Sequence, residues 1–155
     1  MGAGTSVLVA DLLADGRRVL AVDISATALD ILATSLGSPP ELQIVVADAR
    51  THVPSPPVDA WQDRAVFHFL VDDADRASYV ASATAGVRSR GHLLIATFAP
   101  DGPESCSGLP VRRHSIDDLA STFADGFELL EGFAVEHRTP WGAVQQFTHT
   151  VFVRR

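Results

Sequence analysis

The stretch that decides the fold is Met1-Gly2-Ala3-Gly4-Thr5-Ser6. Two glycines so close together favour a tight turn that a ligand can approach, and such a turn can aim a helix N-terminus at the ligand. A short apolar strand follows the helix and ends in an acid, at Val19-Leu20-Ala21-Val22-Asp23. A glycine turn of this kind normally follows a strand, whereas only Met1 precedes it here. We therefore expect the chain to begin inside a larger motif.

Outward from this turn, predicted helices and strands alternate as far as residue 98. Strands are predicted at 17–23, 42–47, 58–64 and 92–98, with helices at 6–14, 26–36 and 74–87. This alternation predicts an α/β fold with a mostly parallel sheet and right-handed crossovers. Together the elements indicate one domain over residues 1–155.

The end of the chain has a different pattern. It is predicted to hold an irregular loop at 99–110, a helix at 115–123 and β-rich runs at 127–138 and 144–154. The two β-rich runs are separated by the turn sequence Thr139-Pro140-Trp141-Gly142, which predicts a closing antiparallel hairpin. Trp141 at its tip can cover a pocket or pack on the sheet.

Composition narrows the possible partners. The net charge is −7 and arginine supplies all twelve basic side chains, so the positive surface that nucleic acids require is not expected. Small-molecule or protein partners are expected instead, and the oligomeric state stays open. Without a membrane-length apolar run or a signal-peptide pattern, a cytoplasmic location is expected. Cys106 is the only cysteine and the histidines are scattered, so no metal site is predicted.

Two acids follow successive predicted strands. Asp23 ends the first strand and Asp48 follows the second. Ligands of open parallel sheets bind outside the carboxyl ends of the strands, where these acids would lie side by side. The first can accept hydrogen bonds from ribose hydroxyls and the second from a purine amine, which predicts a site for an adenosine-containing cofactor. The alternative is a flexible N-terminus with the acids acting as helix caps or loop residues.

The dinucleotide fingerprint is incomplete. Its third glycine allows the helix to pack tightly on the strand, but Val7 occupies that position. A dinucleotide site also has no standing need for the second acid. These points disfavour an NAD- or nucleotide-binding oxidoreductase, which remains the alternative function.

Four stretches together resemble a known enzyme family. They are Gly2-Ala3-Gly4-Thr5-Ser6, Leu20-Ala21-Val22-Asp23-Ile24-Ser25, Val46-Ala47-Asp48-Ala49 and Asp59-Ala60-Trp61-Gln62-Asp63-Arg64-Ala65-Val66-Phe67-His68-Phe69-Leu70. The first three resemble the class I S-adenosylmethionine-dependent methyltransferases. The fourth is similar to a small bacterial group within them that carries a W-x-D-R-A-V-F-H-F-L run. The resemblance implies a Rossmann-like methyltransferase sheet and S-adenosylmethionine as cofactor.

This resemblance implies particular cofactor contacts. Gly2 and Gly4 would approach the methionine part, and Asp23 would hold the ribose hydroxyls. Ile24 would pack on the adenine, and Asp48 would meet the adenine amine.

Further implied contacts are Ala49 beside that amine and the backbone near Trp61 at the cofactor's amino group. The candidates for catalysis are Asp63 and His68, either of which could act as a general base or orient the acceptor. The alternative has Asp63 paired with Arg64 to fix the loop and His68 bonded to backbone. A base is not required, because methyl transfer from a sulfonium is a direct displacement.

The family pattern has a central strand before the glycines, and this chain lacks it. Its loss would remove backbone partners from the strands at 17–23 and 58–64, at about 1–3 kcal/mol for each orphaned buried group. We therefore expect a shortened version of a longer methyltransferase that lacks its N-terminal strand and helices. The expected activity is methyl transfer to a small molecule or protein, and an inactive truncated remnant is the alternative.

Overall fold

The computed structural model of the chain describes residues 1–139 and 142–155. They form two compact units, Met1–His52 and Val53–Arg155. No helix in these described ranges is long and apolar enough to cross a membrane.

The first unit is a two-stranded parallel sheet with two helices. Its elements in chain order are α1 Val7–Ala14, β1 Val19–Asp23, α2 Ala26–Leu36 and β2 Leu42–Val46. The strands pair in register from Val19 opposite Leu42 to Asp23 opposite Val46. Because the strands are parallel, both carboxyl ends lie at the same edge of this sheet.

Serine caps and an apolar cluster shape the first unit. The side chain of Ser25 accepts a hydrogen bond from the Ala28 N–H and begins α2, while Gly37 ends it in the left-handed conformation. Both helices contribute to one core, whose buried members are Val9, Ala21, Leu29 and Leu32. This core holds β1 and both helices together below the carboxyl edge of the sheet.

The second unit is a four-stranded sheet with helices and a small hairpin. Its elements are β3 Val58–Arg64, α3 Asp73–Gly86, β4 Val87–Phe98, β5 Ser105–Cys106, β6 Leu109–Pro110, α4 Ile116–Phe123, β7 Phe127–Arg138 and β8 Val144–Arg154. The strand order is β3-β4-β8-β7, with β3 and β4 parallel and the other pairs antiparallel. The predicted C-terminal antiparallel hairpin is confirmed.

An aromatic core stabilises the second unit. Phe123 of α4 is fully buried, and its ring lies 5.5 Å from that of Phe152 and 5.3 Å from that of Phe67. Tyr79 of α3 and Phe127 of β7 are also buried in contact with Phe123. Both helices therefore pack on the sheet through aromatic rings.

The predicted α/β class with parallel strand pairs is confirmed, but two local predictions are wrong. The strand predicted at 92–98 begins earlier, because β4 runs unbroken from Val87 and its pairing with β3 shifts register between Val58 and Ala60. The 99–110 segment is not wholly irregular, because β5 and β6 form a short antiparallel pair. The predicted position of Trp141 lies outside the described residues.

Each of the two parallel strand pairs has an open edge. Among the described strands, β1 pairs only with β2, and β3 pairs only with β4. Those are the two strands from which an absent central strand was predicted to remove partners. The absence of that strand from the protein stays a prediction.

Candidate functional site

The glycine turn lies in the first unit and is tied to the end of β1. Gly2 and Gly4 have φ angles of 62° and 49°, in the left-handed region that glycine tolerates best. The Ala3 N–H donates to the Val22 carbonyl at 3.0 Å, and nothing lies within 4 Å of the place that a Cβ on Gly4 would take. The turn therefore presents open backbone beside the carboxyl end of β1.

Asp23 holds this turn. One carboxylate oxygen accepts from the Gly4 N–H at 2.9 Å, and the other accepts from the Ser25 N–H at 2.8 Å. The side chain thereby connects the glycine turn with the start of α2. The next residue, Ile24, has 76% of its surface exposed and offers an apolar side chain at the same edge.

Asp48 follows β2 at the same edge. The Ala47 N–H donates to the Asp23 carbonyl at 3.0 Å, so the two strand ends lie side by side as predicted. Ala49, the next residue after Asp48, is buried. The first unit thus brings together six of the predicted cofactor-binding residues, Gly2, Gly4, Asp23, Ile24, Asp48 and Ala49.

Arg50 is a functional candidate that sequence reasoning missed. Its Nε donates to both oxygens of Asp48, at 3.1 and 2.9 Å, and a terminal nitrogen donates to the nearer of these oxygens at 2.6 Å. Hydrogen bonds from this side chain, and then from the Arg50 N–H, lower the pKa of Asp48. Asp48 is therefore anionic at neutral pH, with Arg50 as a competitor for any amine. The spacing Asp-x-Arg after a strand was the available signal.

Trp61 lies in the second unit, on β3, and its side chain is buried. The indole N–H donates to the Tyr79 hydroxyl at 2.9 Å. The indole thus packs in the core, so this position can contact a ligand through its backbone.

Asp63 is fully buried and hydrogen-bonded. It accepts from the Tyr79 hydroxyl at 2.6 Å and from the Val66 and Phe67 N–H groups at 2.9 and 3.3 Å. Burial raises the pKa of Asp63, while the Tyr79 hydroxyl acts against that rise. Arg64 lies over the Phe147 ring, 5.3 Å from its centroid, so the alternative in which Arg64 pairs with Asp63 is not seen.

His68 is also fully buried, in the 3-10 helix Phe67–Phe69. Its ring packs 4.7 Å from that of Phe98, and neither ring nitrogen has a hydrogen-bond partner in the described part of the chain. Burial, with the nearby His114 adding to it, lowers the pKa of His68 to about 4. Its imidazole is therefore neutral at physiological pH.

His114 was not singled out by sequence reasoning. It is 2% exposed, and both its ring nitrogens likewise lack partners among residues 1–139 and 142–155. Burial lowers the pKa of His114 to about 4, with Arg112 and Arg76 adding to the effect. The Arg112 N–H donates to the His68 carbonyl at 2.8 Å, which connects the two histidine segments. The sequence alone does not show that the His68 and His114 segments lie together; this tertiary contact does.

Glu104 and Cys106 lie in and beside the β5–β6 hairpin. Glu104 is exposed and pairs with Arg113 at 3.1 Å, and Cys106 is partly buried against a small apolar cluster of Ala96, Phe98 and Phe147. The described residues contain no group of three or more potential metal ligands.

Comparison with known proteins places these features in a family. Residues 1–95 match the family model described as a methyltransferase domain. No curated protein matches the sequence.

Solved structures show the same fold at low sequence identity. An S-adenosylmethionine-dependent methyltransferase from Methanosarcina mazei is similar, with a TM-score of 0.84 and 14% identity over 99% of this chain and 89% of that one. A 1,6-didemethyltoxoflavin N1-methyltransferase from Burkholderia thailandensis, bound to its namesake ligand and S-adenosylhomocysteine, has a TM-score of 0.78 and 23% identity, over 99% and 68%.

A third similar structure is the glycopeptide N-methyltransferase MtfA in complex with S-adenosylmethionine. It has a TM-score of 0.74 and 15% identity, over 99% of this chain and 85% of that one. The family match covers more than half of the chain and the fold agrees with it. The chain belongs to the methyltransferase domain family, as the class I S-adenosylmethionine-dependent enzyme that its motifs predicted.

Proposed function

We propose that the first unit binds the adenosine and methionine parts of S-adenosylmethionine through the glycine turn, Asp23 and Asp48. In this proposal the backbone near Trp61 binds the cofactor's amino group. The methyl group goes to a small molecule or a protein side chain. The observation that carries the proposal is the Asp23 carboxylate, which joins the glycine turn to the end of β1.

Asp23 has the chemistry that a ribose requires. Each carboxylate oxygen accepts one backbone N–H, and an ionised carboxylate can accept about four hydrogen bonds in all. Acceptor capacity therefore remains for two hydroxyl donors. The backbone bonds fix the direction of the carboxylate in advance, which lowers the entropy cost of binding.

Asp48 and Ile24 fit the adenine. The lowered pKa keeps Asp48 ionised, so it can accept from an amine. Ile24 offers an exposed apolar side chain against which a flat ring can pack. Arg50 must share or release one Asp48 oxygen when the amine binds.

The chemistry supplied by the bound cofactor is an electrophilic methyl group on a sulfonium. The chain's own residues contribute by holding the reactants in line, which can supply most of the rate of a direct displacement. His68 is an inefficient base at neutral pH, because its pKa is about 4. Asp63 already accepts three hydrogen bonds and is fully buried. Neither is therefore proposed as a general base.

The acceptor is proposed as a small molecule or a peptide group. By their names, the similar enzymes above methylate 1,6-didemethyltoxoflavin and a glycopeptide. The net charge of −7 disfavours a nucleic-acid acceptor in this chain.

The test is calorimetric titration with S-adenosylhomocysteine. We expect micromolar binding by the wild-type protein and a loss of at least about tenfold for Asp23→Ala, which corresponds to about 1.4 kcal/mol. Asp30→Ala makes the same charge change on an exposed position of α2 and should bind normally. Wild-type affinity in Asp23→Ala would contradict the proposed site, and binding of NAD in place of S-adenosylhomocysteine would contradict the proposed cofactor.

A further inference from the structure

Three buried side chains of the second unit form a continuous hydrogen-bond chain. The Trp61 indole donates to the Tyr79 hydroxyl at 2.9 Å, and that hydroxyl donates to Asp63 at 2.6 Å. All three side chains are at most 2% exposed. Tyr79 is the central member because it is both acceptor and donor.

The Asp63 carboxylate depends on Tyr79. A buried carboxylate is costly unless its oxygens are hydrogen-bonded. One Asp63 oxygen accepts hydrogen bonds from the Val66 and Phe67 N–H groups, and the other accepts one from the Tyr79 hydroxyl. Burial and the neighbouring Asp63 charge both raise the pKa of Tyr79, so its hydroxyl keeps the proton that it donates.

The same contacts determine the course of the chain after β3. Asp63 is the penultimate residue of β3, and Ala65 then adopts a φ of 67°, which is unfavourable for a residue with a Cβ. The Ala65 N–H donates to the Ala96 carbonyl at 2.8 Å, and Asp63 holds the next two N–H groups. The Asp63 carboxylate, itself hydrogen-bonded to Tyr79, thus fixes the bend at the end of β3.

We propose that Tyr79 is a positioning residue for methyl transfer. Through Asp63 it holds the backbone at the end of β3, and the turn after it, in the conformation that cofactor binding needs. This inference rests on the proposed function, in which that backbone meets the cofactor's amino group. Tyr79 itself touches no reactant.

The Tyr79→Phe variant tests this role. It keeps the ring that packs 5.0 Å from Phe67 but removes the hydroxyl. Without that donor the pKa of Asp63 rises further, and the ionised form becomes the strained one. We therefore expect Tyr79→Phe to bind S-adenosylhomocysteine about tenfold more weakly than the wild type does.

A double-mutant cycle separates positioning from packing. In an Asp63→Asn background no carboxylate remains, so adding Tyr79→Phe should weaken binding by much less than the tenfold loss expected in the wild-type background. Thr150→Val is the matched control, because it removes another buried hydroxyl of this unit, bonded to the Ile95 carbonyl. It should bind normally, and circular dichroism checks that each variant is folded.

The outcomes are distinct. Wild-type affinity in Tyr79→Phe, or an equal loss in the wild-type and Asp63→Asn backgrounds, overturns the positioning role while the proposed function stands. If Tyr79→Phe fails to fold, a Kd in Asp63→Asn close to that of the wild type overturns the role in the same way. Failure of the wild-type protein to bind S-adenosylhomocysteine overturns the proposed function, and this inference with it.

Discussion

The carboxylates of the first unit and the candidate residues of the second unit differ in their exposure to solvent. The Asp48 side chain is 35% exposed, and Asp23 is only partly buried at the end of its strand. Asp63 and His68 are fully buried. A ligand can reach an acid at the edge of a sheet, whereas a buried polar group can act only through the elements it holds. We therefore propose binding for the first set and positioning or packing for the second.

The difference follows from the elements that carry the residues. In the first unit, the acids come at the carboxyl ends of parallel strands, beyond the apolar core that both helices share. In the second unit, aromatic rings of α3 and α4 pack on the sheet, and Asp63 lies among these rings. Buried polar groups of that kind are normally satisfied. The exceptions are therefore informative, and His68 and His114 are such exceptions among the described residues.

The largest effect is expected from a truncation in the aromatic core. Phe123→Ala should lower the free energy of unfolding by about 3–5 kcal/mol, because the ring is fully buried among other rings. Leu29→Ala, in the smaller core of the first unit, should cost about 2–4 kcal/mol. Urea unfolding monitored by circular dichroism measures both. A larger loss for Leu29→Ala would contradict the view that the aromatic core is the more stabilising one.

The second prediction concerns pH and the two buried histidines. Their pKa values of about 4 lie below the usual 6.5, so the fold favours the neutral rings. That contribution is complete above pH 6.5 and is lost as the pH falls towards 4, at up to about 3 kcal/mol for each ring. Unfolding free energies measured between pH 7 and pH 4 should decline accordingly.

Variants at these rings sharpen this prediction. His68→Phe and His114→Phe should each flatten the decline, since a phenyl ring cannot be protonated. His92→Gln is the control, because His92 is exposed on β4. An unchanged pH dependence in both phenylalanine variants would show that other groups cause the acid sensitivity.

The third prediction compares helix caps in the two units. Ser115 and Asp118 form a reciprocal capping box at α4, with hydrogen bonds of 3.1 and 2.9 Å. Ser25 makes a single side-chain bond of 3.2 Å at α2. Ser115→Ala should therefore cost about 1.5 kcal/mol and Ser25→Ala about 0.5–1 kcal/mol in unfolding free energy. Ser115→Ala also removes the hydrogen bond that the Ser115 hydroxyl donates to Asp118 at 2.7 Å, whereas the bond from the Ser115 N–H remains. Equal losses in urea unfolding would mean that this additional hydroxyl bond adds nothing.

Much of the fold could be predicted because local signals agree with it. The Ser25 cap and the Gly37 end fixed α2 at Ala26–Leu36, and apolar runs located β3, β7 and β8 at their observed bounds. The predicted strand at 92–98 missed the first residues of β4, because glycine, here Gly91, occurs both in turns and at irregularities inside strands. The 105–110 hairpin escaped notice because its strands are two residues long.

The candidate site could be predicted only where chain order determines position. Successive strand ends place Asp23 and Asp48 together in any parallel pair, so periodicity was enough. Tyr79 and His114 reach Asp63 and His68 only through tertiary packing, and their sequence separations of 16 and 46 residues carry no local signal. Arg50 is the intermediate case, since it lies two residues from Asp48 and the pattern was visible but ambiguous.

The smallest effect on stability, and the finest test of the exposed edge, comes from Arg50. Both partners of the Arg50–Asp48 pair are more than a third exposed, so Arg50→Gln should lower the unfolding free energy by only about 0.5 kcal/mol or less. The lowered pKa of Asp48 means that this contribution is present at neutral pH and is lost as the pH falls below about 4. In Arg50→Gln the pKa of Asp48 should move back up, which carboxyl-carbon NMR titration can follow.

The same variant addresses the adenine contact. If Arg50 competes with the amine for Asp48, removing it should strengthen S-adenosylhomocysteine binding about two- to threefold, because a freed oxygen no longer has to be released. Arg88→Gln removes an exposed ion pair with Asp59 in the second unit and should leave the Kd unchanged. Weaker binding in Arg50→Gln would reverse the assignment: Arg50 would then be the residue that aims Asp48 at the cofactor, and the exposed edge would depend on a supporting partner much as Asp63 depends on Tyr79.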